Sequence, residues 1–382
     1  MHYGFDEDEE AYRREVRKFA EKVLSPHYQT DDKAAVFRRQ LAKDMAGMGL
    51  TALRIPEAYG GQEASAVIAG IAAEEVGRCD FNAGYLLINT ALISDIIVRN
   101  ATPEQQAAWL PGIASGDTVP CICITEPGHG TDAANLELKA ARADDGGWVL
   151  DGEKTSITLG MASDFAVVLA RSGGPGARGV SAFWVDLNAP GVSRSPFDDL
   201  GARAIGRASL YFDTVKVGAD ALIGDEGDGF VRVMEGFDYS RAIIGLICLG
   251  TAQVSLDEAM QWCRDRVAFG QPIGAFQGVS FPLMEYATYV KGARHVCYEA
   301  LWRKDQDLPH SAEAAMAKFW APKVSVDTIH QCLLTLGHLA YATDSAIGQR
   351  LRDVIGLEIG DGTAQVSKLV IARTLLGRQY AP

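Results

Sequence analysis

The hydrophobic period of this sequence changes twice, and no other feature limits the fold as much. Up to about residue 118, apolar side chains recur at helical spacing. Asp8 to Leu24 carries Val16, Phe19, Ala20 and Val23 on one stripe, and Phe37 to Met48 repeats the pattern. Ala64 to Val76 and Tyr85 to Val98 are apolar enough for buried helices, and Thr102-Pro103-Glu104-Gln105 predicts an N-cap with proline at the first helical position. Near Val119 the pattern turns to β-branched and aromatic runs: Trp148 to Gly152, Phe165 to Ala170, Val180 to Val185 and Ala208 to Val217, separated by Gly, Pro and Asp. From about Gly227 the helical spacing returns, over Phe230 to Val267, Phe281 to Lys304, Ala312 to Leu336, Ser345 to Leu357 and a final helix. The pattern predicts an α+β multidomain chain: a helical domain over 1–118, a β-domain over 119–226, and a bundle of long antiparallel helices over 227–382.

The 382 residues exceed what one simple core supports, in line with that division. A net charge of −13 argues against a nucleic-acid-binding surface, so an anionic ligand has to be met by local arginines or helix N-termini. Cys121 and Cys123 are too close for the usual metal pair and no second pair matches them, so no metal site is expected. The seven cysteines lie in mostly apolar contexts, which suits reduced, buried thiols. The first ten residues are acidic where a signal peptide is basic and then apolar. The apolar run Ala242 to Val254 is short and interrupted by Gly245, Gly250 and Thr251, so no membrane span is expected there and the expected location is cytoplasmic.

Five stretches carry potential chemistry. Gly360-Asp361-Gly362-Thr363 places one carboxylate between two glycines, just before a helix over which Val366, Leu369 and Val370 recur at helical spacing. Asp361 reads either as an ordinary helix N-cap or as a base on a tight turn with open space before it. Ile122-Cys123-Ile124-Thr125-Glu126-Pro127-Gly128-His129-Gly130-Thr131-Asp132 is a glycine-rich turn whose N–H and hydroxyl groups suit a phosphate or flavin edge, though it matches neither common nucleotide fingerprint. Gly152 to Thr158 ends a strand with small hydroxyls, Ser156 and Thr158 among them. Arg266 to Gln277, with Phe269, Gly270, Pro272 and Phe276, reads as a helix–helix loop. Asp238 and Arg241 read as an exposed ion pair on a helix.

Together, in this order and over essentially the whole chain, these stretches resemble the acyl-CoA dehydrogenases. Thr-Glu-Pro-x-x-Gly-Thr-Asp and Arg-x-x-Phe-Gly-x-Pro-Ile-x-x-Phe-Gln carry the resemblance, with Ile55-Pro-Glu-x-Tyr-Gly-Gly and Gly224-x-x-Gly227-x-Gly229-Phe230 in support. The resemblance implies an N-terminal helical domain, a central β-barrel-like domain and a C-terminal four-helix bundle, with FAD between the last two. Ile122, Cys123, Thr125, Gly130 and Thr131 would meet the flavin from one loop, and Ser156, Ile157 and Thr158 from another. Arg266, Phe269 and Gln277 would serve the adenosine diphosphate of a neighbouring subunit's FAD, which implies a homotetramer; Gly337 would lie toward the adenine-side phosphates, and Thr363 and Gln365 would also touch the cofactor. Thr131, Asp238, Arg241, Gly360 and Asp361 would contact an acyl-CoA substrate, Asp361 taking its α proton while the β hydrogen leaves as hydride. An electron-transfer flavoprotein would receive the electrons.

The sequence departs from the family pattern at three places. Its usual Tyr-Glu-Gly-Thr reads Gly360-Asp361-Gly362-Thr363 here, a shorter base beside a missing ring. That suits a branched or alicyclic α carbon, and resembles the subgroup acting on cyclohexane-1-carboxyl-CoA. A short branched-chain acyl-CoA is the alternative. The flavin-flanking Trp is Ser156, which implies a less shielded flavin face and leaves room for an oxidase reading akin to nitroalkane oxidase. The adenine-side segment reads Leu334 to Tyr341, and only Gly337 keeps its pattern. Ser240 stands where relatives carry an alternative base and cannot serve as one.

Overall fold

The structure, a computed structural model, describes residues 4–381. Six helices come first: α1 (Glu7–Phe19), α2 (Tyr28–Ala34), α3 (Gln40–Gly47), α4 (Ala66–Cys79), α5 (Phe81–Asn100) and α6 (Pro103–Ala114). Their starts follow local chemistry. Asp6 and Glu9 form a reciprocal cap on α1, Thr102 and Gln105 do the same for α6 with Pro103 at its first position, and Asp80 caps α5. The exception is α2, which the apolar pattern does not predict. It is held by distant partners: Tyr28 donates to Asp353 at 2.7 Å, and Arg352 reaches Asp32 at 2.8 Å.

The central unit holds β1 (Pro120–Cys123), β2 (Lys139–Arg142), β3 (Trp148–Ile157), β4 (Phe165–Arg171), β5 (Val180–Asp186), β6 (Val192–Pro196), β7 (Ala208–Val217) and β8 (Leu222–Ile223). They form one sheet in the order β6-β7-β3-β2-β4-β5-β8, with β1 parallel to β4. The sheet curls far enough for β3 and β7 to share an interior cluster with β4 and β5. Among the described residues its edge strands β6 and β8 do not pair, so the barrel-like central domain is a curled sheet left open between them. Alternation along β4 explains why both faces are covered: Ala166, Val168 and Ala170 point into the curl, while Val167 and Leu169 pack with Ile93, Ile97 and Leu110 from α5 and α6.

The C-terminal unit comprises α7 (Gly229–Asp265), a hairpin of β9 (Val267–Ala268) and β10 (Gln271–Pro272), α8 (Gln277–Asp305), α9 (Ser311–Leu336), α10 (His338–Tyr341), α11 (Ala346–Ile359) and α12 (Ala364–Leu375). The three long helices pack on one another, and α11 and α12 lie along α9. A single core cluster joins this bundle to α4 and α5. The glycines of Ala242 to Val254 lie inside the continuous helix α7 and admit a neighbour. A Cβ on Gly250 would stand 2.1 Å from the Glu74 carbonyl oxygen, and one on Gly77 2.4 Å from that of Ile247. By length and hydropathy both α5 and α7 could cross a membrane, but 94% and 72% of their apolar windows are buried inside the protein. All seven cysteines are unpaired, and all but Cys79 are buried.

Candidate functional site

The link between α11 and α12 has an unusual backbone. Gly360 closes α11, its N–H donating to the Gly356 carbonyl at 2.9 Å, and is extended at φ −63° and ψ 157°. Asp361 and Gly362 follow in the left-handed region, at φ +55° and +93°, where a non-glycine residue is uncommon although Asp tolerates it. The chain turns so sharply that the cap of α12 falls to Thr363, whose Oγ accepts from Val366 N–H at 3.4 Å. The capping reading of Asp361 is therefore overturned. Its carboxylate is not spent on a helix end, and it has no hydrogen-bond partner among the described residues.

Two cations face this carboxylate. Lys318 is buried on α9, and its Nζ donates to the carbonyls of Leu357, 2.9 Å, and Gly362, 3.0 Å. Arg241 on α7 pairs with Asp238, whose second oxygen accepts from Ser311 at the start of α9. That pair is half-buried, with side chains 14% and 21% exposed, so it is not the exposed surface pair expected from sequence. Asp361 has solvent-accessible surface but stands in a recess deep enough that burial raises its pKa above the usual carboxylate value. The charges of Lys318 and Arg241 pull it back down.

The β-domain supplies the facing wall. Thr155 N–H donates to the Thr125 carbonyl at 2.9 Å, which brings the loop after β1 against the end of β3. There β3 slips register with β7 and Ser156 adopts φ +58°, a bulge that re-aims its side chain. Ser156 is exposed, Ile157 is buried, and Thr158 is half-buried just past the strand end. Arg207 lies beside Ser156. It donates to Ser156 Oγ at 3.0 Å, pairs doubly with Asp199 and stacks 4.3 Å from the Phe197 ring centre. Beneath the loop, Glu126 accepts from the N–H groups of Glu137 and Leu138 and from buried Lys154, which also donates to the Ile124 carbonyl. Ile122 is half-buried and Cys123 fully buried in β1, while Gly130 and Thr131 are exposed on the loop. Tyr85 on α5 bridges the two walls electrostatically: buried and pushed well above its usual pKa mainly by burial, it also feels Asp361 and Arg207.

The remaining expected residues lie elsewhere. Arg266, Phe269 and Gln277 sit around the β9–β10 hairpin beyond the C-terminus of α7. Arg241 and Arg266 are about 25 residues apart, so the helix separates them by roughly 37 Å. Phe269 is 96% exposed at φ +51° and borders a groove of about 380 Å³ with Ile273, Phe276, Gln331 and Leu334. Gly337, at φ +67°, ends α9 beside that groove, whereas Thr363 and Gln365 open α12 beside Asp361. Within one chain the expected cofactor residues thus form two groups, one around Asp361 and one at the far end of the bundle.

Sequence reasoning missed Lys318, Tyr85 and Arg207 and gave no role to Glu126 or Lys154. A lysine inside Ala314-Ala315-Met316-Ala317-Lys318-Phe319-Trp320, with apolar residues on both sides, was the one available signal for Lys318. Tyr85 and Arg207 look ordinary in sequence and acquire meaning only through their neighbours.

The residues of the first group suit a flavin. The backbone at Gly128 and Gly130 is open, a Cβ at either meeting nothing within 4 Å, and the hydroxyls of Thr125 and Thr158 have no partner among the described residues. Across from them an uncommitted carboxylate stands against two cations. That combination is compatible with a flavin-dependent dehydrogenase whose base is a carboxylate.

The comparisons with known proteins sharpen the class. Family models for the acyl-CoA dehydrogenase N-terminal, middle and C-terminal domains match residues 6–117, 121–215 and 227–376. The human mitochondrial short-chain specific acyl-CoA dehydrogenase is 35% identical over 367 residues, 95% of this chain and 89% of that one. The structure of butyryl-CoA dehydrogenase from Megasphaera elsdenii superposes with a TM-score of 0.95 at 28% identity, over 98% of this chain and 100% of that chain. A chain described with the electron transferring flavoprotein of Acidaminococcus fermentans gives 0.94 at 32% identity, over 98% and 100%. The chain belongs to the acyl-CoA dehydrogenase family, has its fold, and catalyses FAD-dependent α,β-dehydrogenation of an acyl-CoA.

Proposed function

We propose that the substrate is an alicyclic acyl-CoA, cyclohexane-1-carboxyl-CoA or a close analogue, oxidised to the corresponding 1-ene with Asp361 as the base. The observation that carries this reading is Gly360. Its φ of −63° suits any residue, and a Cβ there would meet only the Gly356 carbonyl at 3.4 Å and Leu357 at 4.0 Å. Neither backbone nor packing demands a glycine, so its value lies in the space it leaves beside Asp361. A carboxylate one methylene shorter than Glu needs the α carbon closer to the turn, and a ring carbon then occupies the volume beside Gly360.

In this mechanism Arg241 and the loop around Thr131 hold the CoA end, and Asp238 keeps Arg241 in place. Asp361 must be ionised to accept the α proton and must come within about 2.6–3.2 Å of it. Lys318 and Arg241 oppose the rise in its pKa that burial causes. The N–H groups of the turn can stabilise negative charge developing on the thioester oxygen as the proton leaves. FAD held by Thr125, Ser156, Ile157, Thr158, Thr363 and Gln365 would supply the hydride acceptor, and the electron pair left on the α carbon closes the double bond. An electron-transfer flavoprotein then takes the two electrons.

The separation between the two groups of expected cofactor residues supports a homotetramer in which Arg266, Phe269, Gln277 and Gly337 complete a neighbour's FAD site. A cytoplasmic location accords with seven unpaired cysteines. The deciding experiment is anaerobic bleaching of the flavin by a panel of thioesters. Fast reduction by cyclohexane-1-carboxyl-CoA supports the reading; fast reduction by isobutyryl-CoA or butyryl-CoA alone overturns it. Peroxide formed at the turnover rate would instead favour the oxidase.

A further inference from the structure

Lysine is among the residues least often buried, because its ammonium loses its water on entering the core. Lys318 is 1% exposed in the first third of α9, with Ala314, Ala315, Ala317 and Ala321 among its buried neighbours in sequence. Among the described residues it makes no hydrogen bond to a carboxylate. Its two bonds go to carbonyls on either side of Asp361: Leu357, in the last turn of α11, and Gly362, immediately after the aspartate. The last carbonyls of a helix have no partner within it, so the first bond satisfies one of them, and the second fixes the peptide that follows the left-handed residue. A methionine would fit the apolar helix face without desolvating a charge, but it would leave the Leu357 and Gly362 carbonyls without this donor. The charge is therefore tied to the turn.

We propose that Lys318 is the positioning residue of the base: its ammonium clamps the backbone on both sides of Asp361 and holds the carboxylate at the α carbon. The proposal rests on Asp361 being the base. The groups that share the ammonium's surroundings come from every element around it. Asp361 is on the turn, Glu358 on α11, and Arg241 and Cys248 on α7. Cys297 faces from α8 beside Gly245, and Lys368 on α12 sits over the adjoining Phe319. Asp361 is the nearest carboxylate in effect and Arg241 opposes the lysine, so removing Lys318 leaves Arg241 as the one cation acting on the base.

The test compares Lys318→Met, Lys318→Arg and Asp361→Asn as purified, flavin-loaded enzymes. Lys318→Met should keep its FAD absorbance and KM within threefold. Its kcat should fall on the order of 10²-fold, the effect of roughly 1 Å of misplacement. The acidic limb of its kcat/KM–pH profile should move to higher pH, because the carboxylate loses a stabilising charge. Lys318→Arg should recover part of kcat and return the limb toward its original position. Wild-type kcat with an unmoved limb in Lys318→Met overturns the proposal. If Lys318→Met is recovered unfolded, Lys318→Arg decides: folded enzyme with reduced kcat at unchanged KM supports the proposal, and unaltered kcat overturns it. Failure of both to fold also overturns it, since the lysine would then serve the core. Asp361→Asn at wild-type rate would sink the base assignment itself, whereas an inactive Asp361→Asn beside a fully active Lys318→Met sinks only the role of Lys318.

Discussion

Gly360 offers the sharpest test of the substrate reading, because folding and function predict opposite responses to filling it. On the folding side, φ −63° and ψ 157° are comfortable for any L residue, and a Cβ meets its neighbours at 3.4 and 4.0 Å, ordinary contact distances. Gly360→Ala should therefore be neutral or stabilising by about 0.4–1 kcal/mol, since the unfolded chain loses freedom and the folded one loses nothing. On the functional side, Gly360→Tyr puts a ring into the space assigned to the alicyclic substrate. Each methylene that can no longer be accommodated costs about 1–3 kcal/mol of discrimination, a factor of roughly 10–200. The ratio of kcat/KM for cyclohexane-1-carboxyl-CoA to that for butyryl-CoA should thus fall at least about tenfold in the Tyr variant. The butyryl-CoA value itself should hold or rise. Steady-state kinetics with both thioesters, alongside urea unfolding of the Ala variant, measures both arms. A ratio unchanged within threefold would refute the assignment of that space to the ring. A large loss of stability in Gly360→Ala would refute the claim that the glycine is not structural.

Further consequences can be checked in the same way. Lys154→Met leaves Glu126 buried with only its two backbone donors and should cost about 3–5 kcal/mol; adding Glu126→Gln should cost less than the sum of the single changes, and additivity in urea unfolding would show that the pair is not coupled. Burial raises the pKa of Asp80 to about 7, against the lowering effect of the Ala83 and Asn82 N–H groups. The folded protein therefore binds a proton more readily than the unfolded chain, and the stability tied to this group is full below about pH 4 and lost as pH rises to about 7. Asn caps a helix as well as Asp, so Asp80→Asn should remove that decline, and unfolding midpoints that run parallel for the two proteins from pH 4 to 7 would contradict it. Phe269→Ala should weaken assembly and FAD retention together, read by sedimentation and flavin absorbance; a Phe269 that faces solvent in the assembled protein would change neither.

Much of the architecture was legible from periodicity. The starts and ends of the long helices α7, α8 and α9 fall within a few residues of expectation because a two-sided apolar stripe and Gly or Pro punctuation are local properties. The cap at Thr102 was readable for the same reason. What periodicity could not show is α2, which has no apolar stripe of its own and is fixed by Tyr28 and Asp32 reaching Asp353 and Arg352 more than 300 residues away. Nor could it show β1, β2 and β8, which are too short to alternate visibly and owe their place to the neighbours they pair with.

The sequence alone determined that one carboxylate, Asp361, stands between two glycines at the mouth of a helix, and that the chain is built as helices, sheet and helices. Its residue types also set a short carboxylate beside a residue with no side chain. Tertiary structure alone decided that Asp361 does not cap the helix, because two successive left-handed residues pass that task to Thr363. It also decided that a buried lysine on α9 reaches across to the carbonyls around Asp361, and that Arg207 lies beside Ser156. Those contacts join residues dozens to hundreds of positions apart, and a local pattern carries no information about a partner that only packing brings near.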